Sequence, residues 1–334
     1  MIYIISKLKS SIDGDNSTNL SVFVIFIIIV FFIVYGYINI RKRTFNCEVL
    51  QKNAVMNMST ISDDSTLILK DCHIKTAYNC CCTGDFRNDY VDYCGLLNCA
   101  KQGFRAIDFQ IFSINGQPVV SETTVSNNNY KEMYNSLPFN DVMSNVKRYF
   151  IQDTMNCRNR SDPLFLIFRF KTSNSAVFNI MSQSIHQYFG NANPTGSMLV
   201  TSSDLDNVRV KELKNKVIII IDTTGLTANL FESSKLYPIT ALTLGTITNQ
   251  IYRESDVISN KINDSTFKQK FRNDLNVIYP DISAGSENYD FVTTGIDCGI
   301  QFIGMNAQSS DDQLLLYNTK YFNTSAFIAK TTTE

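Results

Sequence analysis

The sequence predicts an α/β domain of alternating strands and helices, preceded by one membrane-spanning helix. The first observation is a stretch between Asp15 and Arg41 that contains no charged residue. The second is a succession of about eight strand-like segments with helix-like segments between them. Such an alternation is typical of a parallel α/β barrel or of a doubly wound sheet, and the pattern alone leaves both open.

The membrane-spanning helix is predicted over residues 20–40. Its centre, 22–34, reads VFVIFIIIVFFIV and is wholly apolar. About 20 helical residues, rising ~1.5 Å each, cross a hydrocarbon layer of ~30 Å. A cleaved signal peptide would have a shorter apolar core and a small-residue cleavage site, and a buried core helix would have a polar face. We therefore expect an anchor, with a segment 1–19 before it and a polar linker 41–65 leading to a domain at 66–334.

The basic residues on the two flanks of this helix predict its orientation. Arg41, Lys42 and Arg43 follow the helix, whereas Lys7 and Lys9 precede it. Cytosolic flanks of membrane helices carry the excess of basic residues. We therefore expect a single-pass membrane protein whose C-terminal domain is cytosolic.

Nine cysteines allow a metal or a disulfide interpretation. They do not form two Cys-x-x-Cys pairs at zinc spacing, and their odd number would leave at least one unpaired. We expect reduced thiols, which agrees with a cytosolic domain, and core packing for the three cysteines at 80–82. In a lumenal domain, the sequons at Asn159, Asn263 and Asn323 would matter instead.

The overall composition bounds the classes of partner. Charged residues make up 18% of the chain, hydrophobic residues 44%, and the net charge is −1. This balance is typical of a folded domain rather than a disordered chain. It offers no basic surface for nucleic acid, so we expect no nucleic-acid partner. The lipid bilayer is the partner that the sequence predicts directly.

The segments of the domain follow from hydrophobic periodicity. Residues 217–221 form a continuous apolar run, typical of a strand buried on both faces. Phe139, Val142 and Val146 recur at helical spacing, and Gly103 has the position of a residue that ends a helix. The predicted strands are 67–76, 104–112, 118–121, 164–170, 198–202, 217–222, 276–279 and 299–306. The predicted helices are 89–102, 138–152, 175–189, 265–275 and a short one near 204–209.

Three stretches of the domain resemble a known family. The first reads IKTAYNCCCTGD at 74–85, the second GFRAIDFQ at 103–110 and then NGQPVVS at 115–121, and the third NVIYP at 276–280, NY at 288–289 and GIQFIGMNAQS at 299–309. In this order and spacing they resemble the catalytic barrel of eukaryotic-type phosphoinositide-specific phospholipase C, over residues 67–329. The resemblance implies a distorted TIM (β/α)8 barrel of phospholipase C type, preceded by the transmembrane helix.

The chemistry of that family depends on two histidines and a calcium ion. A general base takes the proton of the inositol 2-hydroxyl, a general acid protonates the departing diacylglycerol oxygen, and calcium neutralises the phosphate. Histidine suits both proton transfers because imidazole gains or loses a proton near pH 7. Acidic side chains hold the calcium, which prefers six to eight oxygen ligands.

The resemblance places other residues at most of these positions. The two histidine positions fall on Tyr78 and Glu122. The calcium-binding asparagine is kept as Asn79, and Asp108 keeps a carboxylate in place of the glutamate on the next strand. The two other metal-ligand positions are held by Gln110 and Arg169. We therefore expect no cofactor, with weak calcium binding or none.

Most contacts to the substrate head group are also lost. The two phosphate-binding lysines of the family align with Ile220 and Asp222, and the arginine before Ile-Tyr-Pro aligns with Val277. Of the residues that bind the head group, Tyr279 alone is kept.

The chain has two histidines, and neither takes over a catalytic position by its place in the sequence. His73 lies five residues before Tyr78, and an odd offset on a strand points to the opposite face. We interpret it as a structural histidine. His186 lies in a predicted helix outside the barrel mouth, and we expect it to face solvent.

Three functions fit these observations. The leading hypothesis is a catalytically inactive phospholipase-C-like barrel that binds or scaffolds at a membrane, with a phosphoinositide or a protein as its ligand. The first alternative is a divergent phosphoric diester hydrolase acting on a phospholipid head group, with Asp108, Glu122 and Arg169 as its working residues. The second alternative is a structural membrane protein of a particle or organelle, because a fold does not fix a function.

Overall fold

The computed structural model describes residues 16–125, 130–190, 196–201, 205–260 and 265–330. The chain divides into two compact units, Met1–Asn46 and Cys47–Glu334. Several predicted features lie outside the described residues: residues 1–15 of the segment before the helix, the sequon at Asn263, residue 202 of one predicted strand and residue 204 of the predicted short helix.

The long N-terminal helix α1 spans Asn16–Lys52. The most apolar stretch of Leu20–Lys52 has a mean hydropathy of 2.8, and none of it is buried. This helix is long and apolar enough to cross a membrane. The predicted linker is shorter than expected, because residues 41–52 contain neither glycine nor proline and continue the helix.

Within the described residues, twelve strands form one sheet in the second unit. Their bounds are β1 Cys72–Ala77, β2 Ala106–Ile114, β3 Gln117–Ser121, β4 Leu137–Pro138, β5 Leu164–Phe170, β6 Leu199–Val200, β7 Val217–Asp222, β8 Leu242–Leu244, β9 Ile251–Arg253, β10 Val277–Tyr279, β11 Phe302–Met305 and β12 Phe327–Ala329.

The order of these strands distinguishes a barrel from a doubly wound sheet. Strands β1, β2, β5 and β7 are successive parallel neighbours, and β8 pairs with β7. Strands β9, β10 and β11 follow in the same way, and β11 pairs in parallel with β1. A late strand beside the first one is the arrangement of a barrel. Among the described residues no pair joins β8 to β9, so the barrel is distorted there.

An antiparallel hairpin adds β3 to the edge of β2. Its turn residues, Asn115 and Gly116, have φ angles of 51° and 75°. Asn-Gly is the pair that two-residue hairpin turns of this kind favour. The hairpin register places Gln110 opposite Ser121, which brings Glu122 next to the barrel mouth.

The helices pack outside the sheet. Their bounds are α2 Tyr93–Lys101, α3 Phe139–Val146, α4 Ser175–Ile185, α5 Ala228–Glu232, α6 Glu254–Asn260, α7 Ser265–Asn273 and α8 Asp312–Leu316. Wider π-helical turns extend three of them, at Lys147–Gln152, His186–Gly190 and Tyr317–Tyr321, and a further one lies at Val292–Ile296. Short 3₁₀ turns lie at Leu69–Asp71, Val210–Leu213 and Tyr237–Ile239.

The predicted elements agree best for two continuous apolar strands. The strands at 164–170 and 217–222 have the predicted bounds, and Phe139, Val142 and Val146 are buried as expected. The prediction missed β4, β8, β9 and β12, because two or three residues give no readable alternation. The short helix near 204–209 was wrong in its described part, which forms a turn before the 3₁₀ turn Val210–Leu213.

The state of the cysteines differs from the prediction at one pair and agrees with it at 80–82. Cys47 and Cys94 form a disulfide, so the expectation of reduced thiols was wrong for these two. The sequence could not show this, because the pair depends on α1 continuing past its apolar stretch to Lys52, beside α2. The seven other cysteines are buried and belong to no disulfide, and those at 80–82 pack in the core as predicted.

Candidate functional site

The predicted site residues meet at the carboxyl ends of the parallel strands. Tyr78 and Asn79 directly follow β1, Asp108 lies on β2, Arg169 lies near the end of β5 and Tyr279 ends β10. Carboxyl ends of barrel strands gather at one face, which is where barrel enzymes have their active sites. The fold therefore brings together residues that are distant in the sequence.

A buried ion pair forms the centre of this face. Arg169 donates from Nε to Asp108 Oδ2 at 2.8 Å and from Nη2 to Asp108 Oδ1 at 2.7 Å. Arg169 Nη2 also donates to Asn79 Oδ1. Such a bidentate geometry is the strongest form of a carboxylate–guanidinium contact. Burial works against the Arg169 charge, but Asp108 outweighs it, so the pKa of Arg169 lies well above its usual value.

The remaining hydrogen bonds of Asp108 come from its neighbours. Tyr279 Oη donates to Asp108 Oδ2 at 3.0 Å, and the backbone N–H of Asn79 donates to Asp108 Oδ1 at 3.2 Å. Asn79 has a φ of 47°, a left-handed conformation that asparagine tolerates. Burial, together with the Asp108 charge, raises the pKa of Tyr279 well above its usual value. Tyr279 is therefore a neutral donor.

Two aromatic rings and a second arginine cover the ion pair. The rings of Tyr78 and Tyr279 lie 4.6 Å apart between centroids. The guanidinium carbon of Arg169 lies 4.7 Å from the Tyr78 centroid, and that of Arg253 lies 5.3 Å from it. Arg253 Nη1 donates to Tyr78 Oη at 3.1 Å and to the carbonyl of Pro280 at 2.8 Å. Cation–π contacts of this kind stabilise the stack.

Glu122, at the second histidine position, is paired with an uncharged residue. Gln110 Nε2 donates to Glu122 Oε1. Burial raises the pKa of Glu122 to about 8, so this carboxyl group keeps its proton at neutral pH. Glu122 Oε2 and Asn79 Nδ2 are buried atoms without a hydrogen-bond partner.

The space between these groups is closed. Asn79, Cys82, Asp108, Gln110 and Glu122 bound a cavity without room for a water molecule. A small-molecule site in a protein is normally an open cleft of several hundred Å³. A phosphate ester therefore has no access to Glu122 or Asp108 in this conformation.

The residues present do not fit a calcium ion. Calcium requires six to eight oxygen ligands, and the oxygens offered by Asp108 and Asn79 already accept from Arg169. Gln110 uses its side chain to contact Glu122. The Arg169 guanidinium also brings positive charge to the place where the resemblance puts a metal ligand, and it would repel the ion.

This chain is similar to known proteins in structure but not detectably in sequence. No protein-family model and no curated protein matches the sequence. PLC21 of S. officinalis superposes with a TM-score of 0.62 at 14% identity, over 79% of this chain and 37% of that one. PLC21 of L. pealei superposes with a TM-score of 0.61, also at 14% identity and with the same coverage. The chain thus spans little more than a third of the length of these structures.

The chain has the barrel fold of phosphoinositide-specific phospholipase C. This agrees with the resemblance drawn from its motifs and with the strand order described above.

The two histidines of this phospholipase-C-type barrel lie outside the mouth. His73 is buried, and its Nδ1 lies 2.6 Å from the carbonyl oxygen of Ile300. Burial lowers the pKa of His73 to about 4, and the buried, backbone-bonded ring agrees with the interpretation as a structural histidine. His186 is exposed at the end of α4, as predicted.

The positions that the resemblance assigns to phosphate-binding lysines hold no cation. Ile220 is buried in β7, and Asp222 at the end of that strand accepts from the backbone N–H of Thr224 at 2.9 Å. Val277 is buried in β10. Arg253 is the cation that the sequence analysis missed, because it ends the three-residue strand β9, which the pattern did not reveal.

Proposed function

We propose that this protein is a membrane-anchored phospholipase-C-like barrel without phospholipase activity, which binds or scaffolds at its membrane. The observation that carries the proposal is the Arg169–Asp108 ion pair at the centre of the barrel mouth. It satisfies the oxygens that would otherwise hold a metal ion, and the closed packing around it leaves no room for a phosphate.

The replaced histidine positions support the same conclusion. Tyr78 has its ring stacked on Tyr279 and its hydroxyl bound by Arg253, so it is held as a packing residue. Glu122 is fully buried against Gln110. Proton transfer requires a group within hydrogen-bond reach of the substrate, and neither residue offers that reach.

The membrane supplies the second part of the proposal. The helix α1 has the length and hydropathy of a membrane span. A barrel attached to such a helix stays permanently at the bilayer. Because the closed mouth excludes a phosphate, its ligand there is proposed to be a protein, bound without turnover.

A second candidate, a divergent phosphoric diester hydrolase, is favoured by one observation. Glu122 has a pKa raised to about 8, which suits a general acid at neutral pH. Arg169 would then stabilise the charge of a phosphate. This function requires the mouth to open, so that Asp108 exchanges its guanidinium partner for a substrate.

The two functions are separated by an assay of the full chain reconstituted in phosphatidylinositol vesicles with calcium. We expect no release of inositol phosphate above that of the Glu122→Gln variant. Glu212→Gln, a change at an exposed glutamate in the 3₁₀ turn Val210–Leu213, is the matched control. Turnover that persists in the control and disappears in Glu122→Gln would reject the inactive barrel and establish the hydrolase.

A further inference from the structure

The disulfide between Cys47 and Cys94 closes a loop that begins just after the membrane-spanning stretch. The two residues are 47 positions apart, and Cys47 lies four residues beyond Arg43. Both cysteines belong to the second unit, which also contains the barrel. The bond therefore ties the end of α1 to α2, within that unit.

Packing around the disulfide holds the two segments together independently of the sulfur atoms. Asn53 Nδ2 donates to Asn98 Oδ1 at 2.8 Å, and Lys101 Nζ donates to the carbonyl of Gln51 at 2.7 Å. The side chain of Leu50 is buried. The pair is thus preorganised, and its oxidation adds a bond where the fold already places both residues.

Disulfides persist on the oxidising side of cellular membranes and are rare in the cytosol. The seven cysteines outside the disulfide do not argue against such an environment, because all are buried, and buried thiols are inert. Burial also raises the pKa of Cys80, Cys82 and Cys99 well above the usual value, which removes the reactive thiolate.

We propose that the barrel lies on the oxidising, non-cytosolic side of its membrane and that Asn57 and Asn323 carry N-linked glycans. The sequons are Asn57-Met58-Ser59 and Asn323-Thr324-Ser325. Acceptance of a glycan requires the sequence Asn-x-Ser/Thr and a surface position in a domain outside the cytosol.

The two sequons form one exposed patch. The side chains of Asn57 and Asn323 are both exposed. The backbone N–H of Ser59 donates to the carbonyl of Thr324 at 2.6 Å, so the two segments lie side by side. A glycan on either asparagine would project into solvent without displacing a core residue.

A third sequon, at Asn159, provides an internal contrast. Asn159 is fully buried, and its Nδ2 donates to the carbonyl of Gly103 at 3.0 Å. A glycan on that nitrogen would abolish the hydrogen bond and has no space inside the fold. The folded protein therefore carries none there.

The orientation reverses the one expected from the flanking charges. That expectation rested on three basic residues after the helix against two before it, a margin of one, and on reduced cysteines. The disulfide removes the second argument. The positive-inside rule concerns an excess of lysine and arginine on the cytosolic flank over the other flank. A difference of one residue is a weak indication of orientation.

The test is translation of the full chain in the presence of sealed microsomes. Asn263→Gln is introduced throughout, to remove the one remaining sequon of the barrel domain outside the described residues. We expect the chain to run as a species with two added glycans, each of which lowers its gel mobility, and endoglycosidase should reverse both shifts. Added protease should not digest the barrel. The Cys47–Cys94 disulfide should be detected when the gel is run without reductant.

Variants assign each shift to its residue. Asn57→Gln and Asn323→Gln should each remove one shift, and both changes are at exposed positions that leave the fold intact. Ser161→Ala cancels the buried sequon without touching Asn159, and it should leave the mobility unchanged. A barrel that protease digests in sealed vesicles, without a glycan, would overturn the orientation. A protected barrel without a glycan on either asparagine would overturn the assignment of the modification sites.

Discussion

Asp108 is completely buried, and its two carboxylate oxygens accept four hydrogen bonds: two from Arg169 and one each from Tyr279 and the backbone of Asn79. At the scale of single residues this set decides the character of the barrel mouth. An arginine at the position where the resemblance places a ligating carboxylate gives the mouth a cation of its own. Because both partners are buried, the pair is costly to break.

The first prediction concerns this ion pair. Arg169→Met should lower the free energy of unfolding by about 3–5 kcal/mol, because it leaves the Asp108 charge buried without compensation. The double variant Arg169→Met/Asp108→Asn should recover most of that loss. Denaturant unfolding monitored by circular dichroism measures both. A single variant as stable as the unchanged protein would show that Asp108 does not carry a charge.

The second prediction concerns Glu122, whose pKa burial raises from 4.5 to about 8. Between these values the folded state keeps a proton that the unfolded state has lost, so stability falls as the pH rises, by up to about 1.4 kcal/mol per pH unit. Glu122→Gln should remove this contribution to the slope. Unfolding free energies between pH 6.5 and 8 measure it.

Burial also lowers the pKa of Lys330 to about 8, so the Glu122 contribution is the difference between the slopes of the unchanged protein and of Glu122→Gln within this pH window. Burial raises the pKa of Asp162 to about 6 and lowers that of His73 to about 4, so the differences that these two groups make lie mainly below it. Glu212→Gln should retain the slope of the unchanged protein. A slope that is the same in both variants would place the titrating group elsewhere.

At the scale of elements, the disulfide joins the last two turns of α1 to α2. A break was expected at residue 41, yet the helix continues to Lys52 and reaches the barrel. Gly95 of α2 permits close packing on the segment that follows β1, since a Cβ there would lie 2.6 Å from the carbonyl oxygen of Cys82. The helix α2 is therefore held both by close packing and by the disulfide.

The third prediction tests this junction. Cys94→Ser should lower the free energy of unfolding by about 4 kcal/mol in the loop-entropy account, since the disulfide closes a loop of 47 residues. Cys298→Ser, at a buried cysteine outside any disulfide, is the control for loss of a thiol. Comparison of both variants with and without reductant gives the effect. If reductant destabilises the Cys94→Ser variant as much as the unchanged protein, the disulfide does not form.

At the scale of the whole molecule, the strand order of the barrel determines which charged side chains meet at its mouth. The parallel strands deliver Tyr78, Asp108, Arg169 and Tyr279 to one face, and the buried pair there is electrically balanced. A ligand raises the free energy of unfolding only if it binds the folded state preferentially. If the mouth does not bind calcium, the ion therefore leaves the stability of the folded state unchanged.

The fourth prediction follows from this balance. Millimolar calcium should leave the Tm of the full chain in detergent unchanged. Arg169→Glu, which restores a carboxylate at the lost ligand position, is the informative variant, and calcium should raise its Tm. A calcium-dependent rise in the unchanged protein that disappears in Asp108→Asn would show that the mouth still holds a metal ion.

The sequence alone determined the helix that is long and apolar enough to span a membrane, the strands at 164–170 and 217–222, and the residues that meet at the barrel mouth. These follow from local pattern: an uncharged apolar run, continuous strands, and motifs in a fixed order. The tertiary structure decided the contacts between distant residues. Arg253 reaches Tyr78 across 175 positions, and Cys47 reaches Cys94 across 47. Such pairs depend on the strand order and on where a helix ends, which no local pattern encodes. For the same reason the alternation of elements predicted an α/β fold, but the pairing of β11 with β1 was needed to distinguish the strand order of a barrel from that of a doubly wound sheet.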